Sequence, residues 1–291
     1  MKNQVNYSKL IAGTMTWGSW GKRFATDQMV DLMNHCLEIG ITTFDHADIY
    51  GGYTTEADFG TAFEHSGIKR ETIQLISKCG IQMNAALRPN NIKHYDYSKD
   101  YIISSVEQSL KSLKTEYLDM LLLHRPSPLM HPEEIAHAIL VLKAQGKIRD
   151  FGVSNFTSSQ IAILEKEIQV VANQIEFSLT ANDVLLDGTL DDCITNNRLA
   201  MAWSPLGTVF KENTKKVSRI KETLTKMAVE YDTTADVLLL AWIMKHPANI
   251  HPVLGTTTGS RLSNAVKSEK VELEKTDWFV LLEASNGNEV A

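Results

Sequence analysis

The stretch ITTFDHADIYGG, residues 41–52, sets Asp45, His46, Asp48 and Tyr50 directly behind a β-branched apolar run. Two similar runs end in single titratable residues, TIQLIS in Lys78 and YLDMLLL in His124. Taken together, Asp45, Tyr50, Lys78 and His124 have a definite chemical capacity. A tyrosine hydroxyl titrates at about pH 10 and is a weak acid at neutral pH unless a cation stabilises its phenolate, which Lys78 can do. A partly desolvated lysine needs a counter-ion, and Asp45 supplies one. His124 can then orient a carbonyl oxygen against the Tyr50 hydroxyl. A hydroxyl so placed donates its proton to an oxygen that is gaining negative charge, which is what carbonyl reduction demands.

Residues so far apart in sequence act together only if the fold collects them. Eight short apolar or β-branched segments recur along the chain: KLIAGTM, ITTFDHA, TIQLISKCG, YLDMLLLHRP, DFGVSNF, VVANQIEF, AMAWSPLG and NIHPVLGTT. Stretches of helical period separate them, among them QMVDLMNHCLEIG, EADFGTAFEHSG, DYIISSVEQSLKSL and TADVLLLAWIMKHP, several closed by Gly or Pro. Alternation of strand and helix predicts a parallel sheet, and eight units in 291 residues predict a (β/α)8 TIM barrel, a single domain over 1–291. In that fold active-site groups sit at the C-terminal ends of the strands. The polar residues obey the rule: besides those already named, the fifth run ends in Ser154 and Asn155, and the sixth carries Asn173 and Gln174.

The bulk properties remove other classes. A net charge of -6 and a pI of about 5.9 argue against a nucleic-acid binder, which would show a basic stripe and a pI above about 9. The N-terminal segment MKNQVNYSKLIAGT lacks the apolar stretch of a signal peptide, and no run approaches the roughly 20 apolar residues of a membrane span. Cys36, Cys79 and Cys193 are odd in number and show no metal or redox spacing. These features predict a cytoplasmic protein with reduced thiols, and neither nucleic acid nor membrane as partner.

The chain resembles the aldo-keto reductases over essentially its full length. GTMTWG, FDHADIYGG, SKCG, LLLHRP, GVSNF, NQIEFS, WSPLG and VLGTTTGSRL carry the resemblance, in the family's order and strand placement. It implies a tetrad in which Tyr50 donates the proton, Lys78 and Asp45 tune it and His124 positions a small carbonyl substrate, with hydride from NADPH and no metal. Tyr53 competes with Tyr50, but only Tyr50 has the family spacing from Asp45. The resemblance also implies that Ser154, Asn155 and Gln174 hold the nicotinamide carboxamide, that Ser204, Leu206 and Gly207 approach the pyrophosphate, and that Gly255, Thr256, Thr257 and Arg261 meet the adenosine phosphate. His46 stands where many relatives have threonine. Gly255 stands where some have lysine, which removes one cationic contact to the ribose phosphate.

Other readings use the same residues. Asp45, His46, Asp48 and His124 could ligate a metal in a barrel hydrolase, but Lys78 would be a cation beside a divalent ion. His46 and Asp48 are read as packing or hydrogen-bonding groups. Trp17 and Trp20, in the loop after the first strand, are expected to line an apolar substrate pocket. A second function class is a nucleotide-sensing subunit with the same fold and little turnover. Substrate choice is expected to lie in residues 81–98, residues 207–220 and the tail after Val271.

Overall fold

A computed structural model describes residues 6–290; the first five residues of the N-terminal segment and residue 291 lie outside the described residues. Eight parallel strands close into a barrel: β1 (Ile11–Gly13), β2 (Thr43–Asp45), β3 (Gln74–Cys79), β4 (Leu118–Leu123), β5 (Ile148–Ser154), β6 (Ala172–Glu176), β7 (Leu199–Trp203) and β8 (His251–Leu254). Each neighbours its sequential partner, and β8 pairs with β1. These are the eight apolar runs of the sequence. A TIM barrel is therefore the fold, with helices around it, as the periodicity predicted.

Strand alternation explains how one chain makes both a dry core and a polar mouth. Successive side chains point to opposite faces, so residues two apart share a face. Ile11, Ile76, Met120, Leu122, Ala172, Met201 and Val253 fill the barrel interior as one buried cluster. Two residues beyond Ile76 is Lys78, two beyond Leu122 is His124, and two beyond Ala172 is Gln174. The next inward layer above an apolar floor is therefore polar. The opposite face of β3, with Leu75 and Cys79, packs into the larger core between barrel and helices.

The helices α1 (Thr26–Glu38), α2 (Thr55–Ser66), α3 (Lys99–Leu113) and α4 (Pro132–Ala144) cover the first half of the barrel. Their apolar stripes supply Met29, Met33, Phe59, Ile102, Val106, Ile135 and Ile139 to that core. The second half carries α5 (Ser158–Leu164), α6 (Thr189–Thr195), α7 (Lys215–Glu230), α8 (Ala235–Met244), α9 (Gly259–Val266) and α10 (Lys275–Asn286). Residues 81–98 fold back as a short antiparallel pair, Ile81–Gln82 with His94–Tyr95, beside the mouth. The C-terminal tail docks as α10, whose Ser285 hydroxyl donates to the carbonyl of Leu179 in the loop after β6. Among the described residues no helix is long and apolar enough to cross a membrane.

Candidate active site

The ends of β2, β3 and β4 bring Asp45, Tyr50, Lys78 and His124 together. The Lys78 Nζ donates to both carboxylate oxygens of Asp45 at 2.7 Å, to the His46 carbonyl at 2.7 Å and to the Tyr50 hydroxyl at 3.3 Å. Lys78 is 1% exposed, so every one of its protons must find a protein acceptor. Burial pulls its pKa down, but the neighbouring Asp45 carboxylate and Tyr50 oxygen outweigh that and hold it above the ordinary lysine value. Tyr50 shows the opposite balance. Burial raises the phenol pKa, and the lowering by Lys78, which the sequence anticipated, does not overcome it.

His124 continues the β3–β4 pairing through its backbone N–H, which donates to the Cys79 carbonyl at 2.9 Å. Its ring stands edge-on to Tyr50, 6.1 Å between centroids at 81°. Burial, and then the charges of Lys78, Arg125 and Lys93, push its pKa well below the usual histidine value, so the imidazole is neutral. A fifth group joins from across the barrel: Gln174 on β6 donates through Nε2 to Asp45 Oδ1 at 2.9 Å.

Gln174 also links this cluster to the ends of β5 and β7. The Ser154 hydroxyl donates to the Gln174 carbonyl at 2.9 Å, Asn155 Nδ2 donates to Ser154 Oγ at 2.8 Å, and Trp203 Nε1 donates to Asn155 Oδ1 at 2.9 Å. After β7 the chain turns sharply. Ser204 and Gly207 take φ of 54° and 53°, and a Cβ at Gly207 would fall 2.0 Å from Thr180 Oγ1, so only glycine fits there. Leu206 packs, half-buried, between the two larger cores. Beyond β8, a Cβ on Gly255 would meet nothing within 4 Å, Thr256 and Thr257 are half-buried, and Arg261 is exposed in the first turn of α9. The mouth is thus divided: titratable groups on β2 to β4, amide, hydroxyl and glycine groups on β5 to β8.

One expectation is corrected. Trp17 does not line a pocket; it is 1% exposed and packs edge-on against Phe24 and Phe44 and tilted against Phe59, because the loop after β1 folds inward over α2. Trp20 does reach the mouth, 42% exposed with its ring 6.2 Å from that of Tyr50. Tyr53 serves the hairpin, donating to the Ile81 carbonyl and accepting from the Met83 N–H. His46 is fully buried against Phe59 and bonds Thr14 Oγ1 through Nδ1 at 2.9 Å.

Asp48 faces away from the mouth, accepting from the Tyr101 and Ser105 hydroxyls on α3. It lies near Glu56, which accepts from Ser77 Oγ at 2.5 Å. Burial raises the pKa of Asp48 to about 6 and that of Glu56 to about 7. The folded state therefore retains a proton on Glu56 that the unfolded chain releases above pH 4.5, its ordinary value. Stability is full below that value and falls as pH rises towards 7. Glu56→Gln keeps the acceptor for Ser77 without the charge, so it should be more stable than the wild type at pH 8, by about 3 kcal/mol, and nearly equal at pH 4. Urea melts of both proteins at the two pH values check this, and an equal difference at both would contradict it.

Two mouth residues were not singled out from the sequence although the quoted motifs contain them. Trp203, just before Ser204 in WSPLG, holds Asn155. Arg125, just after His124 in LLLHRP, lies with its guanidinium carbon 5.2 Å from the Trp203 ring centroid. Adjacency to an assigned residue was the only signal for either.

The geometry agrees with what comparison with known proteins finds. The model of the Aldo/keto reductase family matches residues 9–284. The uncharacterized oxidoreductase YcsN of Bacillus subtilis is 42% identical, covering 100% of this chain and 98% of its own. A 6-dehydroglucose reductase of Agrobacterium fabrum is 38% identical over 88% of this chain and 87% of its own. The crystal structure of a thermostable aldo-keto reductase in complex with the inhibitor epalrestat superposes with a TM-score of 0.82, at 26% identity and over 97% of each chain. With its closed eight-stranded barrel and its matching sequence over nearly the whole length, the chain belongs to the aldo/keto reductase family.

Proposed function

We propose that this protein is an NADPH-dependent reductase of aldehyde or ketone carbonyls, with Tyr50 as proton donor. The observation that carries the reading is the contact between Lys78 and both Asp45 and Tyr50 at the end of an otherwise apolar barrel interior. A buried tyrosine whose pKa is raised keeps its proton in the resting enzyme. It gives that proton up only to an oxygen becoming more basic than itself, and Lys78 stabilises the phenolate left behind. Neutral His124, its ring edge-on to Tyr50, would donate a hydrogen bond to the same oxygen without competing as an acid. The reduced nicotinamide, when bound, supplies the hydride.

The chain's own groups on β5 to β8 suit such a cofactor. Ser154, Asn155 and Gln174 offer the donors and acceptors that a carboxamide needs. The turn at Ser204–Gly207 brings backbone close to an anion, and the open space over Gly255 leaves room beside the α9 N-terminus. Following NADPH oxidation with a panel of small aldehydes tests the reading. Turnover with neutral aldehydes supports it; NADPH binding that quenches tryptophan emission without any turnover would make the chain a nucleotide sensor instead.

The choice of nicotinamide rests on Arg261. It is exposed in the first turn of α9, next to Thr256 and Thr257, where a guanidinium can fork onto a 2′-phosphate. A charge-assisted bond is worth about 1.5 to 3 kcal/mol. Arg261→Ala should therefore weaken NADPH binding by roughly ten- to a hundred-fold with NADH hardly affected. Titration of both nucleotides by tryptophan quenching checks this; equal losses would remove Arg261 from the phosphate site.

A further inference from the structure

The geometry points to Arg125 as the residue that selects the substrate, by receiving an anionic group, a carboxylate above all, carried by the carbonyl compound. This rests on the reductase reading and narrows it to oxo acids.

Arg125 follows His124 directly, at the seam between the titratable half of the mouth and the half that carries Trp203 and Asn155. Its guanidinium is half-buried over the Trp203 ring. Arg70, Arg88, Arg149 and Arg198 each lie within 4.0 Å of a carboxylate, but among the described residues Arg125 is in no such pair. An arginine held beside an indole, with no counter-charge, has donors free for an incoming anion, and its fork geometry matches a carboxylate.

The site is built rather than incidental. Tyr97 clamps the Arg125 peptide from both sides: its hydroxyl donates to the Arg125 carbonyl at 2.5 Å and accepts from the Arg125 N–H at 3.1 Å. Tyr97 is itself buried, and it reaches this position only because Gly80, at φ 113°, has no side chain; a Cβ there would lie 2.0 Å from the Tyr97 ring. A glycine at the end of β3 thus makes room for the tyrosine that fixes the backbone from which the guanidinium extends.

The local field agrees. Both Arg125 and Lys93, the latter exposed on the segment after β3, contribute to lowering the His124 pKa, and Arg125 also acts on Tyr50. Lys93 has no carboxylate partner among the described ion pairs either. The charge of Lys78, by contrast, is matched by Asp45. On a chain of net charge -6, Arg125 and Lys93 would draw an anionic substrate to the His124 side of the mouth against the overall repulsion.

The test compares 4-carboxybenzaldehyde with its neutral methyl ester, methyl 4-formylbenzoate, under saturating NADPH. The wild type should favour the carboxylate in kcat/KM by about ten- to a hundred-fold, expressed mainly in KM. Added salt should erode that preference. Arg125→Met should bring the carboxylate-to-ester ratio close to one, and Arg125→Lys should restore part of it. NADPH titration by tryptophan quenching reports that each variant is folded, and the salt series on the wild type needs no variant. Equal kcat/KM for the two aldehydes in the wild type would overturn the proposal and leave carbonyl reduction standing. So would a loss of NADPH affinity in Arg125→Met as large as the loss of carboxylate preference, since Arg125 would then serve the cofactor. If neither aldehyde were reduced, the reductase reading and this proposal would fall together.

Discussion

Tyr50→Phe should lose carbonyl reduction by about a hundred-fold or more while binding NADPH almost as the wild type does. The ring keeps its edge contact with His124 and its tilted contact with Trp20, so the mouth retains its shape. What disappears is one hydroxyl, 3.3 Å from the Lys78 ammonium, and with it the proton for the developing alkoxide. The loss should fall on kcat and on kcat/KM alike, since that proton moves only in the transition state. A variant reducing aldehydes at the wild-type rate would show that another group, Tyr53 or a water, provides the proton.

Lys78→Met should damage turnover comparably, by about a hundred-fold, and the fold as well. The lysine is 1% exposed and neutralises Asp45, which is 3% exposed. Removing one partner of a buried pair leaves an uncompensated charge, at about 3 to 5 kcal/mol. Gln174 would still donate to Asp45, which softens the loss, but the three bonds from Nζ to Asp45 and the His46 carbonyl would be gone. The two effects separate in the double variant Asp45→Asn, Lys78→Met. It should recover much of the stability, because no unpaired charge remains, and none of the activity. Denaturant melts and kcat measured on the same preparations decide it. Since Lys78 lowers the Tyr50 pKa, the alkaline limb of any residual activity should move to higher pH in Lys78→Met. A folded single variant with an unchanged pH–rate profile would remove Lys78 from the role of tuning Tyr50.

Much of the fold was legible because a barrel strand carries its own signature. Each of the eight apolar runs became a strand, since parallel strands buried on both faces must be apolar nearly throughout. The residues that break that pattern, Lys78, His124 and Gln174, stood out as costly to bury, and each lies one inward step above the apolar floor. Trp17 and Trp20 show where such reasoning stops. Both are tryptophans in one loop after one strand, yet one is 1% exposed and the other 42%. Nothing local distinguishes them. The difference comes from Phe44 on β2 and Phe59 on α2, which form a slot that only Trp17 reaches.

The sequence by itself determined the eightfold alternation of strand and helix and the polar residues that end the strands, because periodicity and the cost of burying charge act along the chain and survive without a partner. The tertiary structure decided everything that depends on distances across the barrel. Gln174 bonds Asp45 from the far side of the mouth, burial raises the Tyr50 pKa despite Lys78, and Arg125, beside Trp203, has no carboxylate partner among the described residues. The reason is physical. Desolvation and Coulomb interaction depend on which groups surround a charge in space, and closure of the barrel sets that neighbourhood for residues more than a hundred positions apart.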